Sequence, residues 1–165
     1  MVQHAEAPDS GAAGNRPGPA RPRWFTLPAW VLTLAGLGIS VYLTVAHYNK
    51  GAMVCTTSST IDCHSVTNSD YSDLLGIPLP LLGLGFFVAF AVLITPPALR
   101  SPSPLPRWAR LGSVIVGMLF VIYLVTVELA ILHKICLWCT GVHAITILLF
   151  VLVLADEFRR IGQAD

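Results

Sequence analysis

Four cysteines fall into two pairs in this chain. Cys55 and Cys63 lie in a polar segment between two apolar runs, and Cys136-Leu137-Trp138-Cys139 opens the last apolar run. A thiolate is the reactive form of cysteine, so a spaced loop pair combined with a CxxC pair points to a dithiol relay. Two cysteines three residues apart share one face of a helix. The partial positive charge at a helix N-terminus stabilises a thiolate there, which makes the thiol ready to attack and its disulfide easy to reduce. Two other uses of cysteine compete with this reading. Buried thiols also serve as small hydrophobes, and four thiolates, with or without His64, also make zinc sites. The seven residues between Cys55 and Cys63 exceed the spacing of about 2–4 usual in a structural zinc site, so no metal is expected.

The elements that must position these pairs are membrane helices. Hydrophobic residues make up 55% of the 165 residues and charged residues only 12%, with a mean hydropathy of +0.70. That composition excludes a soluble domain. Uncharged stretches cover residues 24–46, 74–99, 111–127 and 135–155, the third resuming past Glu128 to Leu132. Each comes close to or exceeds the roughly 20 helical residues that cross a hydrocarbon core. Backbone polar groups in lipid must pair internally, so helices are required. The expected fold is all-α, an integral membrane four-helix bundle with one long extracytoplasmic loop.

Net charge is only +1, but its distribution is asymmetric. Arg16, Arg21 and Arg23 precede helix 1, Arg100, Arg107 and Arg110 lie between helices 2 and 3, and Arg159 and Arg160 follow helix 4. Only Lys50 and Lys134 lie on the other side. By the positive-inside rule both termini and the 2–3 loop are cytoplasmic, and all four cysteines face outward, in a compartment where disulfides persist. The expected location is the plasma membrane, multi-pass, with the lipid bilayer as a partner and no nucleic acid. The first apolar run is too long for a signal-peptide core, and Val45-Ala46-His47 is a poor cleavage site, so it is read as an anchored helix.

Along the chain, residues 1–23 read as a disordered cytoplasmic tail, residues 24–158 as the membrane domain and residues 159–165 as a second tail. Helix 1 is expected from about Leu27 to His47, anchored by Trp24 and Trp30. Residues 48–77 form the long loop, carrying Asp62, Asp70 and Asp73, with a short interfacial helix at Tyr71-Ser72-Asp73-Leu74-Leu75. Pro78 and Pro80 suit the first turn of helix 2. The proline-rich connection from Thr95 to Pro106 should be stiff and extended. Helix 3 is expected from about Ala109 to Leu132, with Gly112, Ser113 and Gly117 permitting close helix contact. Only His133-Lys134-Ile135 then separates it from helix 4, expected from Cys136 to about Ala155.

The chain resembles the vitamin K epoxide reductase family, specifically its bacterial disulfide-forming branch. The resemblance rests on Ser40-Val41-Tyr42-Leu43 and His47, on Cys55, Cys63 and Ser69, and on Tyr71-Ser72 with Gly76-Ile77-Pro78-Leu79 and Gly83. It continues through Tyr123-Leu124 and Ile135-Cys136-Leu137-Trp138-Cys139. The other four-helix quinone-linked disulfide generator, the DsbB type, carries its CxxC in the first external loop, and the order here is reversed. The resemblance implies that Cys55 exchanges with a partner's dithiol, that Cys63 is its loop companion and passes electrons to Cys136, and that Cys139 faces a membrane quinone of menaquinone or ubiquinone type. Helical geometry agrees with that last step, because Cys139 lies one turn deeper than Cys136. Ser69 is carried over as a supporting polar residue of the relay. The implied partner is a separate extracytoplasmic thioredoxin-like (DsbA-like) dithiol protein, separate because the chain ends about ten residues after helix 4.

Further residues are candidates around the quinone. His143 is one turn beyond Cys139 on the same face and suits a hydrogen bond to a quinone carbonyl, or a purely structural interhelical bond. Phe86, Phe87 and Met118 are candidate pocket walls, and Trp138 a candidate stacking partner or a member of the outer aromatic belt. Glu128, an ionisable group inside a membrane helix, is a candidate proton relay or partner of His133 or Lys134, against the plainer reading of a carboxylate reaching the outer interface. Animal epoxide-reducing members have a tyrosine at the His143 position and an asparagine in helix 2, and this chain has neither. Those departures disfavour a vitamin K-type epoxide cycle and leave quinone reduction intact. A non-catalytic protein whose cysteines staple its loop is the remaining alternative.

Overall fold

A computed structural model describes residues 22–55, 58–69 and 71–162. The expected N-terminal tail with Arg16 and Arg21, the loop residue Asp70 and the last three residues lie outside the described residues. Four long helices dominate: α1 (Arg23–Tyr48), α3 (Leu79–Leu93), α5 (Leu105–Thr126) and α6 (Leu137–Ile161). Short helices α2 (Cys63–Thr67) and α4 (Pro96–Arg100) lie on either side of α3 in sequence. Helix α1 packs on α3 and α6, and α5 packs on α6 and α3.

Among the described residues three helices are long and apolar enough to cross a membrane: α1, α5 with its continuation to Leu132, and α6. Helix α3 falls short of the span expected from residues 74–99. Its 15 residues cover about 22 Å at about 1.5 Å per residue. Prolines set its limits. Pro78 caps it and Pro80 sits in its first turn, while Thr95 ends the helical path and Pro96 starts a separate one. The connection after α3 is therefore helical at Pro96–Arg100 rather than extended throughout. Proline is well tolerated in a first helical turn, which also lets α5 begin at Leu105, a turn earlier than expected. Helix α6 runs six residues past Ala155, to Ile161.

The outer segment departs most from expectation. Residues 71–75 form no helix. Instead Asp73–Leu74 (β1) pairs antiparallel with Ile77–Pro78 (β2), joined by Leu75 at φ 55° and Gly76 at φ 80°. Two successive positive φ values are the signature of the two-residue hairpin turn that matches strand twist. The loop's helix is α2, whose N-cap Asp62 accepts hydrogen bonds from the Ser65 backbone N–H at 3.1 Å and the Ser65 hydroxyl at 2.6 Å. These bonds, the side-chain one foremost, hold the Asp62 carboxyl below its ordinary range.

A second tie links the loop to the α5–α6 corner. Ile61 forms a parallel bridge with Ile135. The Ile135 N–H donates to the Thr60 carbonyl at 2.9 Å, and the Asp62 N–H donates to the Ile135 carbonyl at 3.2 Å. The corner itself is a π turn, Val127–Leu132, ended by His133 in the left-handed conformation. A π turn carries one residue more than an α turn and is uncommon outside functional sites.

The core lies toward the arginine-bearing end, where Phe25, Ala29, Phe87, Phe90, Ile94, Val114, Leu149 and Val153 are buried together. Gly36 lets α1 approach α3, since a Cβ there would run into the Phe87 ring. Gly117 does the same for α5, with Phe86 and Thr146 atoms 3.1 Å from where its Cβ would lie. Gly112 does not: it is exposed, and nothing stands within 4 Å of its Cβ position. At this end Arg107 pairs with Glu157 at 2.6 Å, and the buried Arg110 lies 3.8 Å from the same carboxylate.

Candidate active site

The fold brings all four cysteines together. Cys55 and Cys63 are joined by a disulfide, while Cys136 and Cys139 are free thiols. Cys63 and Cys136 are fully buried in one cluster with Ala46 and Met53, and Cys55, Val66 and Cys139 pack against it. The loop disulfide takes two thiolates from any four-cysteine zinc site. Cys63 opens α2 and Cys136 caps α6, and the Ile61–Ile135 bridge lies just before both. The Cys136 sulfur accepts the backbone N–H of Cys139 at 3.3 Å, the arrangement at a helix N-terminus that favours a thiolate.

Beneath the cysteines lies a cavity of about 560 Å³, enclosed by α1, α3, α5 and α6. That is within the range of about 300–1,000 Å³ found for small-molecule sites. Cys139, His143, Ser69, Phe86 and Phe87 all reach it. Its wall is mainly apolar, and Ser40 and Thr146 add hydroxyls from the buried faces of α1 and α6. Ser69 is held by its hydroxyl, which donates to the Val66 carbonyl at 2.9 Å.

Two expected wall residues are elsewhere. Met118 is not among the lining residues, because α5 presents Gly117 and Val121 inward instead. Trp138 also lies outside the cavity and grips the loop. Its ring packs on Tyr42 with centroids 4.7 Å apart, and its Nε1 donates to the Val54 carbonyl at 2.9 Å. The Tyr42 hydroxyl completes the grip, accepting the Val54 N–H at 2.7 Å and donating to the Ala52 carbonyl at 3.3 Å. The segment leading into Cys55 is thus held from two sides. The sequence carried no separate signal for this role of Tyr42, since a tyrosine near a helix end reads equally as an interfacial anchor.

Glu128 does not reach the outer interface. It is 5% exposed and lines the cavity, with the backbone N–H of Cys136 bonded to its carboxyl. Nor does it pair with its expected partners through their side chains. The Lys134 ammonium donates to the Ser59 carbonyl at 2.6 Å, and the Glu128 carbonyl accepts the backbone N–H groups of His133 and Lys134. Helical periodicity explains the placement, because Gly117, Val121, Leu124 and Glu128 follow one another on the face of α5 and its continuation that lines the cavity.

A pair of free thiols, a neighbouring disulfide and a mainly apolar cavity thus lie together among membrane-capable helices. The family model described as the vitamin K epoxide reductase family matches residues 27–154, so the chain belongs to that family of membrane oxidoreductases, whose chemistry couples thiols and quinones.

Proposed function

We propose that this protein is a member of the bacterial disulfide-forming branch, oxidising an extracytoplasmic thioredoxin-like, DsbA-like partner and delivering the electrons to a membrane quinone. The observation that carries this reading is the contiguous path from Cys55–Cys63 through Cys136 to Cys139, which lines the cavity. In this reading α3 completes a four-helix span together with its flanking segments. The segregation of the arginines in the sequence supports a topology with both termini in the cytoplasm and the cysteines outside.

Exchange proceeds in balanced steps. A partner thiolate attacks the Cys55 sulfur, and Cys63 leaves as a thiolate. The partner's second thiol resolves the mixed disulfide, so the partner is oxidised and the loop pair reduced. Cys63 then attacks Cys136 of a CxxC disulfide, and Cys55 closes the loop pair again, leaving the CxxC as a dithiol. A closed loop pair beside an open CxxC, the state of this structure, corresponds to the end of that transfer. A quinone, bound in the cavity, supplies a two-electron, two-proton acceptor. The wall fits such a ring: Phe86 and Phe87 are aromatic faces, and His143 is a polar group one turn below Cys139. Ser69 anchors the end of α2 over the opening.

Redox trapping of the four cysteines in membranes tests this reading. With quinone present, Cys136 and Cys139 should become protected from alkylation as a disulfide. With quinone removed, they should accumulate as thiols whenever partner dithiol is supplied. Static redox states under both conditions would return the cysteines to a structural role.

A further inference from the structure

We infer that Glu128 is the proton acceptor for the CxxC dithiol, a role resting on the thiol-oxidation reading above. Three observations converge on it. The residue is buried, on the same inward face as Gly117 and Val121 of α5. It is bonded to the backbone N–H of Cys136, the residue that caps α6. It also shares the cavity wall with Cys139 and His143. A buried carboxylate is costly in a membrane interior and persists there when it is used.

The chemistry needs such a group. Forming the Cys136–Cys139 disulfide breaks two S–H bonds, makes one S–S bond, sends two electrons to the acceptor and releases two protons. The Glu128 carboxylate takes the Cys136 proton as a carboxyl O–H and gives it up toward the cavity, and the Cys139 proton passes to the cavity directly, so that the two oxygens of the reduced quinone receive both protons and Glu128 ends unchanged. The other titratable groups near it are Cys136, Cys139 and His143 at α6, His133 and Lys134 in the corner, Tyr71 on the cavity wall, Tyr123 on α5, and the exposed His64 of α2. Helix α3 contributes no titratable side chain, and the only ones on the outer half of α1 are Tyr42, His47 and Tyr48. Lys134 is engaged with Ser59.

The test uses reduced full-length protein in membrane nanodiscs, oxidised either by a soluble quinone analogue or by a small aromatic disulfide. Glu128→Gln keeps an acceptor for the Cys136 N–H and removes the ability to carry a proton. In the wild type, the rate of Cys136–Cys139 disulfide formation should rise with pH through the ionisation of the carboxylate, because only the ionised form accepts a proton. Glu128→Gln should lose that limb and slow about a hundredfold near neutral pH, and Glu128→Asp should keep it. Redox-difference infrared spectra give a readout independent of quinone turnover. In time-resolved spectra a transient carboxyl C=O band should accompany oxidation of the CxxC by the aromatic disulfide in the wild type and be lost in Glu128→Gln. An unchanged pH limb and an unchanged band in Glu128→Gln would overturn the assignment. If the wild type reacts with the aromatic disulfide but never with quinone, the quinone reading fails, and the infrared band still decides Glu128.

Discussion

Loosening the grip on Val54 should free the Cys55 arm without touching a cysteine. Tyr42→Phe keeps the ring against Trp138 but removes two hydrogen bonds, the 2.7 Å acceptance from the Val54 N–H and the 3.3 Å donation to the Ala52 carbonyl. A neutral hydrogen bond contributes about 0.5–1.5 kcal/mol net. The second bond is long and Val54 is exposed, so the total should be about 1–2 kcal/mol. Trp138→Ala removes the 2.9 Å bond to the Val54 carbonyl and the aromatic pair, itself worth about 0.5–1.5 kcal/mol, again for about 1–2 kcal/mol. Each variant should raise the population of the open arm about five- to thirtyfold. Both side chains hold the same residue, so the double variant should fall short of the sum. Native-state hydrogen exchange at the Val54 amide reads this opening directly, and the rate at which a small thiol reduces Cys55–Cys63 reads its consequence. Unaltered Val54 exchange in Tyr42→Phe would refute the idea that these side chains restrain the arm.

Four shorter expectations accompany it. Cys63→Ser should leave Cys55 covalently trapped on a thioredoxin-like partner as a reducible higher-mass band, and a band that survives in the Cys55→Ser/Cys63→Ser variant would reverse the loop roles. Cys139→Ala should abolish stoichiometric quinone consumption, while His143→Leu should slow it about ten- to a hundredfold, the loss of about 1.5–3 kcal/mol for one bond to a developing charge, as followed by quinone absorbance. Cysteines introduced at Arg100 or Arg159 should resist an impermeant thiol reagent in intact cells and one at Ser58 should react; labelling at Arg100 would invert the topology. Because its bonds to Ser65 lower the Asp62 pKa, the cap's contribution should be complete above the unfolded value of about 3.9 and be lost as pH falls through the lower folded value. Asp62→Asn should erase that acid-range loosening of α2, measured by amide exchange at Ser65.

The sequence makes the helices readable because long uncharged runs leave no other way to satisfy a backbone in lipid. It marks the cysteine pairs because their types and spacing are local facts. Helix rotation is not local. The membrane helices are apolar nearly all round, so periodicity does not separate the face that packs from the face that meets lipid. That is why Met118 is expected on a wall that Gly117 and Val121 occupy, and why Trp138 is expected at the cavity and not on Val54. Glu128 illustrates the same limit more sharply. Its depth follows from counting residues, but whether its carboxyl reaches the outer interface or stays at the cavity depends on how the neighbouring helices close over it. The hairpin at Leu75-Gly76 is hidden for a different reason. Gly76 is a recognisable turn residue, but leucine rarely adopts the positive φ that Leu75 takes here.

The bridge between Ile61 and Ile135 also sets where this chain tolerates changes in length. Cys63 follows Ile61 by two residues and Cys136 follows Ile135 by one, so the bridge acts as a common origin from which both thiols are counted. An extra residue ahead of Ser58, where the hydrogen-bonded turn into Ile61 begins, leaves that count intact. The same residue placed after Ile61 reverses the side to which the next side chain points and turns Cys63 away from Cys136. Residues 58 to 63 therefore form the stretch to leave intact, since Ser58 is bonded to Ile61 and Ser59 to Lys134, and between Ile61 and Cys63 even a conservative insertion separates the two cysteine pairs.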